Sequence, residues 1–527
     1  MLPRSTAADL QSGKMGASTS TEAFRCANAF TEFCCMRPKK RLKGDDDDMA
    51  VKDRISNLPN CLLDEILSSL PTKNAVATSV LSRRWRRAFT WLTRLEFDDS
   101  PISHCVGCPH LIDSFTSFKM FVDNVLQACQ SKQLTTFRLY FGKGKNKCRM
   151  SGCDEGCYPI MKSMHVNAWI SFPLTRGVRE LDIYIRVREP DKLSSAIFDC
   201  RTLEVLRLDM NLDLEVPSST NLCLPNLKEF HLTVVHFPDD DSVTRLVSSC
   251  TSLEYLALEG SSKPVVPVCI YAPSLRRLAI QILPSCERPR CKVVLDVPNL
   301  EYLAYDDTFA LCYSIGDLNS LVEAQVDTDF TYTDEKQIVN ILSLVSPLSN
   351  VRRLFLMQGC IEVLSLIPFI HPSALDSYEL EYKLPIFRNL NHLQLGSGYY
   401  EWNKILLELL NCAPFLETLA FPEGIAYEFD EEEEVYMRVS EKECQSWSKT
   451  QVIPSCLGFH LKRISIKSYA RTHWELEMVK YFLRNTLVLE ELMVVCDTSV
   501  PLADRILLDS TLQKLPRGSM ACSIEVQ

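Results

Sequence analysis

Cys200-Arg-Thr-Leu203-Glu-Val-Leu206-Arg-Leu208 decides the fold of this chain. Its last apolar residues alternate with polar ones, the signature of a strand with one buried face. The unit Leu-x-x-Leu-x-Leu then recurs. It returns as Leu227-x-x-Phe230-x-Leu232, Leu253-x-x-Leu256-x-Leu258, Leu275-x-x-Leu278-x-Ile280 and Leu300-x-x-Leu303-x-Tyr305, and in weaker form as Leu321-x-x-Ala324-x-Val326. Earlier copies begin at Leu134 and Val178, and later ones at Val351, Leu390, Leu416, Leu461 and Leu489. From Val178 to Leu321 the spacing is 21 to 26 residues.

That is the period of leucine-rich repeats. One such strand cannot bury its face alone, so stacked copies are expected to form a parallel sheet whose inner face packs on the returning segments. Helical spacing lies between several copies, in Phe118, Phe121, Val122, Val125 and Leu126, and in Val243, Leu246 and Val247. It appears again in Ile338, Ile341, Leu342 and Val345, and in Trp402, Ile405, Leu406, Leu409 and Leu410. These segments are expected to form an outer layer of helices. The units after Leu321 are longer and irregular, as insertions on one face would make them.

Upstream lies a compact helical segment with too much apolar surface for its length. Leu62, Leu63, Ile66, Leu67 and Leu70 share one helix face, with Pro59 at the first turn and Pro71 as the stop. A second short helix runs through Ala75, Val76 and Val80. Ser82 is placed to cap a third, in which Trp85, Ala88, Phe89 and Leu92 repeat at helical spacing. Three helices this short cannot bury all their apolar faces against one another, so the segment calls for a partner.

From Ile55 to about Trp91 these residues resemble the plant-type F-box: Leu58-Pro59, Leu62-Leu63, Ile66-Leu67, Leu70-Pro71, Ala75-Val76, Thr78-Ser-Val80-Leu81-Ser82 and Arg84-Trp85. The resemblance implies docking on a Skp-type adaptor, and through it a cullin. The adaptor contacts are expected from Leu58, Pro59, Leu62, Leu63, Ile66, Leu67, Leu70, Pro71, Val80, Leu81 and Trp85. Farther on, Pro454-Ser-Cys456-Leu, Leu461-Lys-Arg-Ile464-Ser-Ile466, Glu475 through Asn485, and Leu489-Glu-Glu-Leu492 resemble the FBD domain, which accompanies F-box and leucine-rich repeats in plant proteins. By pattern it is strand, amphipathic helix, strand: a repeat pair that closes the end of the solenoid.

The expected architecture is therefore α/β. A trihelical F-box over residues 51–97 is followed by an irregular leucine-rich-repeat solenoid over 98–450 and an FBD-like cap over 451–527. Residues 1–50, rich in Ser, Thr, Ala, Lys and Arg and ending in Gly44 and four aspartates, have little apolar surface to order them and are expected to be disordered. The run Asp430 to Glu434 reads as a solvated charged loop.

Composition narrows the function. The 57 basic and 67 acidic residues give a net charge of −10, which argues against a nucleic-acid grip over the whole surface. Arg83, Arg84, Arg86 and Arg87 form a local basic patch, read as a solvated helix face. No run of 18 apolar residues occurs, so no transmembrane helix is expected. The 23 cysteines are scattered, and many sit inside apolar patterns, as free thiols do in the cytosol or nucleus. Neither a nucleotide-binding glycine loop nor a nucleophile elbow nor a His-Glu-x-x-His motif is present.

His104-Cys105-x-x-Cys108-x-His110, with Cys148, Cys153, Cys157 and His165, must be weighed as a zinc site. The second group is not a CxxC pair, and a helix and a strand are expected between the halves. The preferred reading is a cysteine-containing loop, with no metal and no cofactor.

The resulting expectation is a non-catalytic subunit of a Skp–cullin–F-box ubiquitin ligase. The F-box would hold the adaptor and the repeats a target protein. The alternative is a repeat scaffold that acts without a cullin. Because side chains alternate along a strand, residues between the repeat leucines face outward on the concave sheet. They form rows: Tyr255, Arg277 and Tyr302, then Ala257, Ala279 and Ala304, then the acidic edge of Glu259, Gln281 and Asp306. The first two rows are the expected target-binding residues.

Overall fold

The computed structural model describes residues 58–100, 110–142, 161–188, 190–217, 222–236, 241–261, 267–283, 292–307, 312–328, 335–366, 383–397, 402–425, 453–469, 473–498 and 500–527. The expected N-terminal disorder, the 430–434 loop and all of the cysteine–histidine group except His110 and His165 lie outside them. The chain divides into two compact units. The first takes residues up to Leu203 together with Asp209–Asp213; the second takes Glu204–Leu208 and Leu214–Gln527.

In the first unit, helix α1 spans Asn60–Ser68 with Pro59 as its N-cap, and α2 spans Thr72–Ala77 with Pro71 as its N-cap. Proline suits both positions, because the first turn of a helix leaves its N–H groups unpaired anyway. A 3-10 turn over Thr78–Val80 follows, and then α3, Trp85–Ala88, at whose start the Ser82 hydroxyl accepts the Trp85 N–H at 3.4 Å. Strand β1, Arg94–Asp98, pairs in parallel with β2, Thr136–Phe141, and β2 with β3, Glu180–Ile185. Helices α4, His110–Ala128, and α5, Ser163–Leu174, complete the unit.

Strand β1 was not expected. Leu92-x-x-Leu95-x-Phe97 carries the repeat's own apolar spacing, yet Leu92 also continues the helical stripe of Trp85, Ala88 and Phe89. The helix stops at Leu92, whose backbone is extended, and a strand begins two residues later. Residues 94–97, placed above in the F-box, thus belong with Asp98 to the first strand of a parallel sheet.

The second unit carries a long parallel sheet. It comprises β5 (Glu229–His236), β6 (Tyr255–Ser261), β8 (Arg277–Leu283), β10 (Tyr302–Asp307), β12 (Glu323–Thr328) and β13 (Arg353–Leu356). It continues through β14 (His392–Leu395), β15 (Thr418–Phe421), β16 (Arg463–Tyr469), β17 (Glu491–Cys496) and β18 (Ser523–Val526), each strand parallel to its neighbour. Strand β4, Val205–Met210, contributes residues to both units. The predicted repeat leucines fill the covered face: Leu256, Leu278, Leu303, Leu354, Leu393, Leu419, Ile464 and Leu492 are each at most 1% exposed. At about 1.5–3 kcal/mol per fully buried aliphatic side chain, this row is a large stabilising term of the fold.

The second layer is only partly helical. Helices α6 (Ser242–Ser248), α7 (Glu335–Val345), α8 (Gln358–Leu366) and α9 (Trp402–Cys412) cover their repeats. Behind β6, β8 and β10, three short strands take their place and form a separate parallel sheet: β7 (Val268–Tyr271), β9 (Lys292–Asp296) and β11 (Cys312–Ile315). Helices α6, α7 and α9 stand where helical spacing was read, and these strands fill the second layer between repeats that carried no helical pattern. Val268, Ile270, Val293 and Leu295 are β-branched or aliphatic and almost wholly buried, and these segments of four or five residues are too short to nucleate a helix. A buried carboxylate joins the layers: Asp307 accepts hydrogen bonds from the hydroxyls of Tyr305 and Tyr313, each at 2.8 Å. No helix among the described residues is long and apolar enough to cross a membrane.

The C-terminal end also extends beyond expectation. After α10 (Ser455–Phe459), α11 (His473–Asn485) and β17 comes α12 (Leu502–Gln513), and β18 then pairs on the far side of β17.

Candidate functional site

Two surfaces emerge. The first lies on the N-terminal helices. Leu63, Leu67, Ala75, Val76, Trp85, Phe89 and Leu92 are buried, and they hold three very short helices together. Leu62 (43% exposed), Ile66 (39%), Val80 (57%) and Leu81 (59%) face outward. On α1, Leu62 and Ile66 stand one turn apart and so share a side. Leu58 and Leu70 are half-buried, and Pro59 and Pro71 are exposed. Of the expected adaptor contacts, Leu63, Leu67 and Trp85 are interior, at 1–2% exposure. The stripe on α1 is wider than one contact: its Leu63–Leu67 half packs inward, and its Leu62–Ile66 half stays exposed. Exposed apolar side chains concentrated on so small an element mark an interaction surface.

The second surface is the open face of the sheet in the second unit. The parallel register aligns Tyr255, Arg277 and Tyr302 across β6, β8 and β10, and in the same way Ala257, Ala279 and Ala304, then Glu259, Gln281 and Asp306. The predicted rows are real ladder rows. The Arg277 guanidinium lies 5.4 Å from the Tyr255 ring centroid and 5.1 Å from that of Tyr302. Such cation–π contacts are worth about 0.5–1 kcal/mol each at exposed sites and hold the arginine in the row. The same row continues to Glu229 on β5, which accepts from Arg207 at 2.8 Å and lies 2.6 Å from His231 Nε2. Burial pushes the Glu229 carboxyl up, but these two partners outweigh it and hold it below the usual range.

The alanine row is the floor of a depression of about 510 Å³. That volume falls in the ordinary range of ligand pockets, roughly 300–1,000 Å³. His231 and Gln325 close the two ends of the row, and Met357 and Gln358 line it from the start of α8. Tyr255, Arg277 and Tyr302 form the neighbouring row rather than the lining itself.

The third row extends past what the sequence showed, because Asp306 pairs in register with Asp327 on β12. Glu423, just after β15, joins the lining. Asp327 accepts N–H bonds from Thr328 at 2.9 Å and Gly359 at 3.2 Å, both on Oδ1. The second bond depends on glycine: a Cβ at residue 359 would stand 1.6 Å from the Thr328 carbonyl oxygen. Burial pushes the Asp327 carboxyl up to about 6, and the charges of Asp306 and Glu423 push the same way, against those two N–H groups. Glu259 accepts from the Thr233 hydroxyl at 3.2 Å and Asp306 from Gln281 at 2.9 Å.

Three family models match the chain: the F-box domain over residues 55–97, the LRR repeats of FBD-associated F-box protein At5g56370 over 166–318, and FBD over 450–494. Among curated proteins, the chain is similar to three from Arabidopsis thaliana. F-box/FBD/LRR-repeat protein At4g26340 is 31% identical over 440 residues, 82% of this chain and 90% of the relative. F-box/LRR-repeat protein At4g14103 is 31% identical over 382 residues, 70% of this chain and 91% of the relative. F-box/LRR-repeat protein At3g59200 is 32% identical over 508 residues, 91% of this chain and 89% of the relative.

Proposed function

Since this chain belongs to the family of F-box/FBD/LRR-repeat proteins, we propose that it is the target-binding subunit of a Skp–cullin–F-box ubiquitin ligase. The observation that carries the reading is the division of labour within the F-box. Leu63, Leu67 and Trp85 fill its interior, and this leaves Leu62, Ile66, Val80 and Leu81 on the surface, where a Skp-type adaptor would cover them. The adaptor would bring the cullin and a charged ubiquitin carrier.

Catalysis by this chain is then proximity alone. The repeat face holds a target whose lysines meet the carrier at a high effective concentration, and the covalent chemistry resides in other subunits. The open sheet around Ala257, Ala279 and Ala304, flanked by Tyr255, Arg277 and Tyr302, is the target surface in this reading. The compartment would be the cytosol or nucleus, where the adaptor and cullin are met and thiols stay reduced.

The test is co-expression of the full chain with a plant Skp-type adaptor, followed by affinity purification. Wild type is expected to bring the adaptor down in near-stoichiometric amount, and Leu62→Asp with Leu81→Asp to lose it while melting cooperatively. Undiminished adaptor recovery with the double variant would overturn the reading. No recovery with the folded wild-type chain would favour a scaffold that acts without a cullin.

A further inference from the structure

We propose that the Tyr255–Arg277–Tyr302 row takes an acidic side chain of the target protein, an aspartate or glutamate whose carboxylate meets the Arg277 guanidinium between the two tyrosine rings. This rests on the reading of the open sheet face as the target surface and adds the chemistry of what is recognised.

Arg277 is held in place without being satisfied. Strands β6 and β10 are the two neighbours of β8, so the Tyr255 and Tyr302 rings stand on either side of its guanidinium, at 5.4 and 5.1 Å. Aromatic rings stack on the faces of a guanidinium and leave the N–H groups at its edge. Among the described residues those N–H groups have no hydrogen-bond partner, and neither do the hydroxyls of Tyr255 and Tyr302. Burial pushes the Tyr302 hydroxyl up, with Glu323 and Tyr255 acting the same way, so it stays protonated and able to donate. Arg277 is exposed and both tyrosines are half-buried, which leaves these donors open to a partner.

The carboxylates around the row are already engaged. On β5, beyond Tyr255, Glu229 pairs with Arg207 at 2.8 Å and with His231 at 2.6 Å. On β12, beyond Tyr302, Glu323 pairs with Arg353. In the turn that leads into β10, Glu301 pairs with Arg276 at 2.5 Å. Arg277 is the cation that its strand neighbours leave over.

Charge decides the class of anion. A guanidinium carries one positive charge and offers its donors as a fork that fits a carboxylate in two parallel hydrogen bonds. A phosphate monoester carries a charge of about −1.5 to −2 at neutral pH. Its excess would stand in the same row as Glu229 and Glu323. One arginine between two such neighbours therefore fits a carboxylate better than a phosphate.

The experiment uses the full chain and saturation-transfer NMR at pH 7.5. The probe is an Ala/Ser dodecapeptide that carries one central glutamate, and its twin carries glutamine, which has the same shape without the charge. The glutamate peptide is expected to give at least fivefold more transfer than the glutamine peptide. Arg277→Met, which keeps a long side chain and removes the fork, is expected to abolish that difference. Arg276→Met, next in the chain but at a site paired with Glu301, is expected to leave it intact.

Equal signals from the glutamate and glutamine peptides would overturn the proposal, and so would an undiminished difference in a folded Arg277→Met chain. A phosphoserine twin that gives more transfer than the glutamate peptide would overturn the choice of a carboxylate. N-acetylglutamate methylamide binding as well as the peptide would make the occupant a small acid and overturn the assignment to a target segment. Melting and adaptor co-purification are measured on the same preparations. Adaptor binding without glutamate selectivity removes only this inference, and loss of adaptor binding from the wild-type chain removes the ligase reading instead.

Discussion

The hydroxyl of Thr72 accepts the backbone N–H of Glu96 at 2.6 Å. Thr72 opens the second F-box helix, and Glu96 sits in the first strand of the parallel sheet. The bond is partly buried, with Thr72 only 2% exposed, so the helical segment and the start of the sheet are one packed body rather than two modules on a linker.

This relationship predicts that the F-box is not freely separable. A fragment starting near residue 115 loses β1 and leaves the edge of β2 and the faces of Phe137 and Leu139 uncovered, so it is expected to aggregate. Thr72→Val keeps the shape and removes the acceptor. It is expected to cost about 1–3 kcal/mol, the desolvation penalty of an unpaired buried N–H, in urea unfolding of the full chain. A monodisperse 115–527 fragment with a cooperative melt would contradict the coupling.

Adjacent leucines in α1 should behave oppositely. Leu63→Ala empties a buried site and is expected to destabilise the first unit by about 2–5 kcal/mol. Leu62→Ala, at an exposed site, should change stability by no more than about 0.5 kcal/mol and instead weaken adaptor binding. Calorimetry with adaptor titration on both variants checks the pair, and equal melting shifts for the two would refute the division.

The C-terminal repeat should be indispensable. Leu512 is fully buried, and the Gln513 side-chain amide donates to the Ile524 carbonyl at 3.0 Å. Truncation after Asp497 removes α12 and β18, bares the edge of β17 and exposes part of the core. Light scattering on the truncated chain is expected to show aggregation at micromolar concentration.

Asp327 sets a pH dependence with a definite sign. Its folded value of about 6 lies above the ordinary aspartate value of 3.8, so the folded chain holds this proton more tightly than the unfolded chain. The contribution to stability is complete below about pH 4 and is lost as pH rises through 6. Asp327→Asn, which retains an acceptor for Thr328 and Gly359, is therefore expected to raise Tm by about 1–2 °C at pH 7.5 and to give no gain at pH 4. A gain of equal size at both values would show that charge is not the cause.

The alignment of Tyr255, Arg277 and Tyr302, and of the three alanines beside them, was legible in the sequence for a physical reason. Parallel strands of a repeat stack without slippage when each begins two residues after its first leucine, so sequence offset becomes ladder row. Strands β13 to β17 could be located by the same rule. Strand β1 could not, because Leu92, Leu95 and Phe97 fit a helical continuation as well as a strand. Strand β18 was missed because Ser523-Ile-Glu-Val526 has no leading leucine pair, and the layer of β7, β9 and β11 because such short segments carry no decisive period.

The sequence by itself thus determined the helical F-box, the parallel repeat sheet and the pattern of its open face, since these depend on local spacing repeated many times. Tertiary structure alone decided which half of the α1 stripe is core and which is left outside, because a stripe's buried width is set by the neighbours that cover it. It alone also brought Asp327 and Glu423 beside Asp306 and the alanine floor. Those residues come from different repeats, and only the stacking of strands turns them into one charged depression.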